Sequence, residues 1–207
     1  DYYGKKGLIK IIVIQPGFGN DDFIEFSGKI QPLYKKYIFI FCLCIAIATM
    51  LIFAKKDMFN SLHSQVNNIL QTASKSTDEK LQGICDLLKS EIPHYDWVGF
   101  YFKNGDKREL KLGPYAGEPT DHTIIPFGKG ICGQVAESNQ NFVVPDVQAQ
   151  DNYIACSITV KAEIVVPLFV NGENIGQIDI DSNTPDPFTK ADETFLEFVN
   201  VEVAKIL

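Results

Sequence analysis

A chain of 207 residues with 45% hydrophobic and 12% aromatic content has enough apolar surface to bury a core, which excludes a disordered polymer. Its net charge of −7 is unevenly spread. Residues 1–57 carry eight Lys against five Asp or Glu, whereas residues 58–207 carry eleven Lys or Arg against twenty-one Asp or Glu. So acidic a body repels phosphate backbones and argues against a nucleic-acid partner.

The five cysteines, Cys42, Cys44, Cys85, Cys132 and Cys156, are odd in number and widely spaced. Small secreted domains carry dense, even sets instead, so the pattern points to a reducing, cytoplasmic compartment. No CxxC pair occurs and His63, His94 and His122 are scattered. No metal site is expected, and no cofactor.

In chain order, the first feature is Tyr37–Ala54, eighteen uncharged and mostly apolar residues between Lys35, Lys36 and Lys55, Lys56. That length lies at the lower edge of the roughly 17–25 residues that span a bilayer. One reading is a membrane anchor, with no orientation given by the symmetrical lysines. The other is that residues 1–57 stand outside the working protein, since Met58 is a plausible initiator and the pattern becomes orderly from there. The expected division is therefore an extension, 1–57, and a domain, 58–207.

Phe59, Leu62, Val66 and Ile69 recur at helical spacing and predict a first helix. Ser76-Thr77-Asp78-Glu79 is a capping-box pattern ahead of Leu81, Ile84, Cys85 and Leu88, and Pro93 ends that second helix. Trp97–Phe102 is rich in strand-favouring residues and leads through Asn104-Gly105 into a second strand at Leu110–Leu112. A loop with Gly113, Pro114, Gly117 and Pro119 precedes a strand from His122 to Phe127. Gly128-Lys129-Gly130 then opens a short helix carrying Cys132 in its first turn.

Beyond a strand at Phe142–Val144, the polar stretch Asp146–Tyr153 and Cys156 read as loop or short helix. Strands at Glu163–Val170 and Asn174–Asp181 are joined by Asn171-Gly172, and a helix capped by Thr189 closes the chain through Phe195, Leu196, Val199 and Val203. Helices around five or six short, mostly hairpin-linked strands describe an α/β (α+β) domain on a central antiparallel sheet.

Several residues could carry chemistry. Asp179 and Asp181 stand two apart on a predicted strand, so both side chains face one way, and adjacent like charges raise at least one pKa. The alternative is a solvent-exposed sheet edge. Cys156 lies in a polar segment and Cys132 at a helix start beside Lys129, settings that favour a thiolate, although either cysteine could be a small buried hydrophobe. Cys85, on the core face of its helix, is expected to be inert. His122 could assist a thiolate or be structural. Trp97 and Tyr101 could wall a pocket for a thioether or simply fill the core.

Five motifs in order resemble the free methionine-(R)-sulfoxide reductases, which are GAF-fold enzymes. They are Trp97-x-Gly99-Phe100-Tyr101, Ile125-Pro126-Phe127-Gly128-Lys129-Gly130-Ile131-Cys132-Gly133, Tyr153-Ile154-Ala155-Cys156, Glu163-Ile164-Val165-Val166-Pro167-Leu168, and Ile178-Asp179-Ile180-Asp181-Ser182. The resemblance covers nearly all of 58–207 and implies a GAF-like sheet of about six strands flanked by helices. It further implies Cys156 as nucleophile, Cys132 as resolving thiol able to form a disulfide, and Glu163, Asp179 and Asp181 as carboxylates that hold and protonate the substrate. Trp97 and Tyr101 would line its methyl end.

The partners so implied are free methionine-(R)-sulfoxide and a thioredoxin-type reductant, with room for a homodimer and with membrane attachment only through 37–54. One departure matters: the family has a cysteine where this chain has His122, four residues before Pro126. That leaves recycling to Cys132, to an external thiol, or to neither. The rival expectation is a non-catalytic GAF module that senses a small ligand or redox state.

Overall fold

The chain alternates capped amphipathic segments with short β-rich runs, and the computed structural model, which describes residues 41, 43, 45, 58–150 and 159–207, gives each its element. Contacts divide the chain into two units, Asp1–Phe53 and Ala54–Leu207. In the first, Phe41, Leu43 and Ile45 are helical and exposed; the rest of the apolar segment 37–54 lies outside the described residues. No helix among the described residues is long and apolar enough to cross a membrane.

The second unit holds four α-helices among its described residues: α1 (residues 58–70), α2 (Thr77–Glu91), α3 (Gly130–Ser138) and α4 (Lys190–Ala204). Its strands are β1 (Trp97–Lys103), β2 (Glu109–Ala116), β3 (Ile124–Pro126), β4 (Phe142–Val144), β5 (Ala162–Val170) and β6 (Glu173–Ser182), ordered β3-β2-β1-β6-β5-β4 with every pair antiparallel. This is the α+β architecture expected.

Helix starts follow the capping chemistry. Ser76 and Glu79 exchange side-chain and backbone bonds at the head of α2, and Thr189 and Asp192 do the same for α4. Each reciprocal pair satisfies two N–H groups that the helix cannot. In α1 the buried stripe is Phe59, Leu62, Val66 and Leu70, while Ile69 is half-buried and packs beside Gly83 of α2. Asn171 and Gly172 both take positive φ, 52° and 83°, the left-handed pair that joins a tight hairpin.

Two expectations are corrected. Gly113 and Pro114 lie inside β2, not in a loop: β2 slips register against β1 there, and β3 pairs only with Glu109–Lys111, so proline's missing N–H breaks no ladder bond on that side. The third strand is shorter than His122–Phe127, and His122 lies outside it. Its backbone is tied instead by Tyr101 Oη, which donates to the His122 carbonyl at 2.9 Å, and by Thr120 Oγ1, which accepts from the His122 N–H at 3.1 Å.

Alternation splits the sheet into two faces. Val98, Phe100, Ile164, Val166, Ile178 and Ile180 face α1, α2 and α4 in the larger core. Each such side chain, fully buried, contributes roughly 1.5–3 kcal/mol. Trp97, Tyr101 and Val165 face the other way, toward Ile131, Cys132 and Val135 of α3. The face packed on three helices thus holds the larger apolar core, and the α3 face a smaller one beside the polar groups.

Candidate active site

Strand period two puts Gln177, Asp179 and Asp181 of β6 on the α3 face, together with Glu163 of β5. Glu163 stands directly across from Asp181, while Asp179 is paired with Val165 on one side and Gly99 on the other. All three carboxylates are buried, at 2–3% exposure. The solvent-edge alternative for Asp179 and Asp181 is therefore not realised, because β6 runs between β1 and β5 inside the sheet.

Like charges directly opposed across a ladder repel, and burial removes the water that would screen them. Burial, reinforced by Asp179 and then Asp181, holds the Glu163 carboxyl well above the usual carboxylate range. Asp181 is raised by burial, then by Asp179 and Asp96. Burial pushes Asp179 up to about 7, against the opposing pull of a hydrogen bond donated by the Cys132 thiol. The cluster therefore retains protons near neutrality, which is the condition for a carboxyl group to act as an acid there.

Cys132 reaches this cluster because α3 is drawn tightly onto the preceding loop. Gly128 N–H donates to the Gly133 carbonyl at 2.7 Å, and a side chain at Gly133 would run into the Pro126 carbonyl. Cys132 is buried at 4%, and its sulfur and one oxygen each of Glu163 and Asp179 lie within 4.8 Å of one another. Neither the scattered cysteines nor the scattered histidines announced that grouping, since its members come from three separate elements. Cys85 is fully buried, donates to the Pro114 carbonyl at 3.4 Å and has its pKa raised by burial, in keeping with an inert thiol.

Two cavities meet the carboxylates. One, with about 390 Å³ of empty volume, is lined by His122, Pro126, Lys129, Cys132, Glu163 and Asp179 among others. The second, about 550 Å³, is bounded by Asp96, Trp97, Glu118, Thr159, Asp181 and Asn183. The Trp97 indole donates to the Glu118 carbonyl at 3.1 Å and stacks on Tyr115 at 5.5 Å. It lies across Gly99, where a Cβ would collide with the ring, which explains the Trp-x-Gly spacing. Tyr101 is buried, its ring centroid 6.2 Å from that of Trp97, and lines neither cavity.

Cys156 falls outside the described residues, which resume at Thr159 in the second cavity. Five of the six named site residues besides Cys156 (Cys132, Glu163, Asp179, Asp181 and Trp97) are brought to one or other cavity, and Tyr101 lies beside Trp97, outside both linings. Gln177 was not singled out from sequence. It is fully buried on the same face, with no hydrogen-bond partner for its amide among the described residues. Its position two residues before Asp179 was the signal that could have found it.

An antiparallel sheet with three helices on one face and, on the other, a short helix beside cavities and buried carboxylates is a GAF-like fold, and the GAF domain sequence profile matches residues 74–206. The chain is 34% identical over 143 residues to GAF domain-containing protein A of Dictyostelium discoideum, covering 69% of this chain and 88% of that one. It is 35% identical over 140 residues to the free methionine-R-sulfoxide reductase of Escherichia coli, covering 68% and 83%. The substrate complex of the Neisseria meningitidis free methionine-R-sulfoxide reductase superposes with a TM-score of 0.67 at 33% identity, over 72% of this chain and 87% of the other. The chain belongs to the free methionine-(R)-sulfoxide reductases of the GAF family.

Proposed function

We propose that residues 58–207 reduce free L-methionine-(R)-S-oxide to L-methionine, with the buried carboxylate cluster as acid and Cys156 as nucleophile. The observation that carries this is the convergence of Glu163, Asp179 and Asp181, kept protonated near neutrality beside a cavity. A sulfoxide oxygen leaves only once it is protonated, and a carboxylic acid of raised pKa supplies that proton. The indole of Trp97 suits the methyl end of the substrate, and residual negative charge suits its ammonium.

The Cys156 thiol takes the oxygen: methionine is released with its sulfur reduced by two electrons, and Cys156 is left as the sulfenic acid. Cys132 then attacks that sulfur, expelling water and forming a disulfide. A thioredoxin-type dithiol restores both thiols by exchange, itself becoming the disulfide. A cytoplasmic compartment, which keeps such donors reduced, fits this cycle.

A sensor that binds without turnover is the second reading, and His122 in place of a family cysteine is the feature that favours it. The test is steady-state methionine release from the two sulfoxide diastereomers, with dithiothreitol as reductant and Cys156→Ser as control. Release from the R form alone, abolished in the control, is the expected result. Binding without release would make the chain a sensor.

A further inference from the structure

We propose that Cys132, Glu163 and Asp179 form a binding site for a thiophilic divalent cation of the Zn²⁺ class, which occupies the carboxylate cluster when the organic substrate is absent. The donor atoms of the three are buried and within 4.8 Å of one another. They come from α3, β5 and β6, so the backbone fixes their spacing. Zinc bonds of about 2.3 Å to sulfur and about 2.0–2.2 Å to oxygen place ligand atoms roughly 3.5 Å apart around a tetrahedron. Closing to that distance takes a rotation of the Glu163 and Asp179 side chains, not a movement of the sheet.

A second observation points into the same space. Asp179, 2% exposed and lining the first cavity together with Cys132 and Glu163, leaves its Oδ1 without a hydrogen-bond partner among the described residues; Asp181 Oδ1, bounding the second cavity, is likewise unpartnered. Among the described residues no ion pair reaches any of the three carboxylates. Buried oxygens in this state are satisfied by protons, by a ligand, or by a cation.

The donor set selects the ion. One thiolate with two carboxylates suits Zn²⁺ or Cd²⁺, whereas Mg²⁺ and Ca²⁺ require six or more oxygens and have no use for sulfur. Three protein ligands leave a fourth position facing the cavity, the arrangement of an accessible zinc site and not of a closed structural one. A cation held there takes the carboxylates that the substrate would otherwise engage.

Calorimetric titration of the reduced full chain with Zn²⁺ tests this, with Cd²⁺ as an optical probe through its thiolate charge-transfer band and Mg²⁺ as the contrast. One equivalent of Zn²⁺ is expected, with no response to Mg²⁺. Cys132→Ser, Glu163→Gln and Asp179→Asn should each weaken binding by more than the roughly hundredfold that loss of an outer-shell partner causes. The two carboxylate variants are close in shape to the protonated side chains they replace and should melt no lower than the parent, so a thermal melt of each separates loss of binding from unfolding. Unchanged affinity in Glu163→Gln and Asp179→Asn, or loss of the Zn²⁺ equivalent only in Cys156→Ser, would overturn the site. The readout needs no substrate, so the cation site and the reductase reading stand or fall separately.

Discussion

Asp179 shows how a single side chain can be made reactive by its place in a sheet. Its folded-state pKa is about 7 against an ordinary value of 3.8. Between those values the folded chain holds a proton that the unfolded chain has released, so stability falls as pH rises through that window. Asp179→Asn should remove this slope and, above neutrality, stabilise the fold by roughly 2–4 kcal/mol. Urea unfolding of both proteins at about pH 5 and about pH 8 measures it, and the variants should differ mainly at the higher pH. The same substitution deletes the acid and should abolish turnover. Asp179 and Asp181 were legible as a pair through their period-two spacing, but their burial was not. Whether a strand is central or at an edge depends on partners far away in the chain, here β1 and β5.

Cys132 belongs to the same scale. Its substitution by Ser should slow repeated turnover while leaving one methionine released per chain, read by rapid quench. An unchanged steady state would remove the resolving role and leave recycling to external thiol.

At the scale of the element, the local chemistry of caps and turns was sufficient. Ser76 and Glu79, the Thr189 cap, and Asn171-Gly172 were all readable, because a helix start or tight turn is specified by a few consecutive residues; Asp192, which completes the Thr189 box, was not singled out. Ser76→Ala should lower stability by about 1 kcal/mol with activity per folded molecule unchanged, as measured by urea midpoint and methionine release. What the sequence hid was β2 continuing through Gly113 and Pro114. A proline normally ends a strand, and only the register slip against β1 and the short reach of β3 make it tolerable here. The Gly99 motif was visible as a pattern, whereas its reason, the indole lying across it, depends on a contact in space. Gly99→Ala should displace Trp97 and raise KM for the sulfoxide more than it lowers kcat.

Taken whole, the molecule separates stability from chemistry by the two faces of one sheet. The face packed on α1, α2 and α4 holds most of the large buried apolar side chains, and the α3 face holds three buried carboxylates and a thiol. The desolvation of three carboxyl groups on one face is offset by the apolar burial on the other. The unit Ala54–Leu207 contains both faces, so a fragment comprising residues 58–207 should fold and turn over at the rate of the full chain. Loss of its cooperative thermal transition would show that residues 1–57 contribute to the fold.

The most direct test is a single-turnover experiment on the reduced chain with one equivalent of free methionine-(R)-sulfoxide and no external reductant, followed by mass spectrometry of the cysteines. One methionine per chain, with Cys156 oxidised and linked to Cys132, is the expected result. Substrate bound but unreduced, with Cys156 still a thiol, would contradict a reductase and leave a sensor in its place.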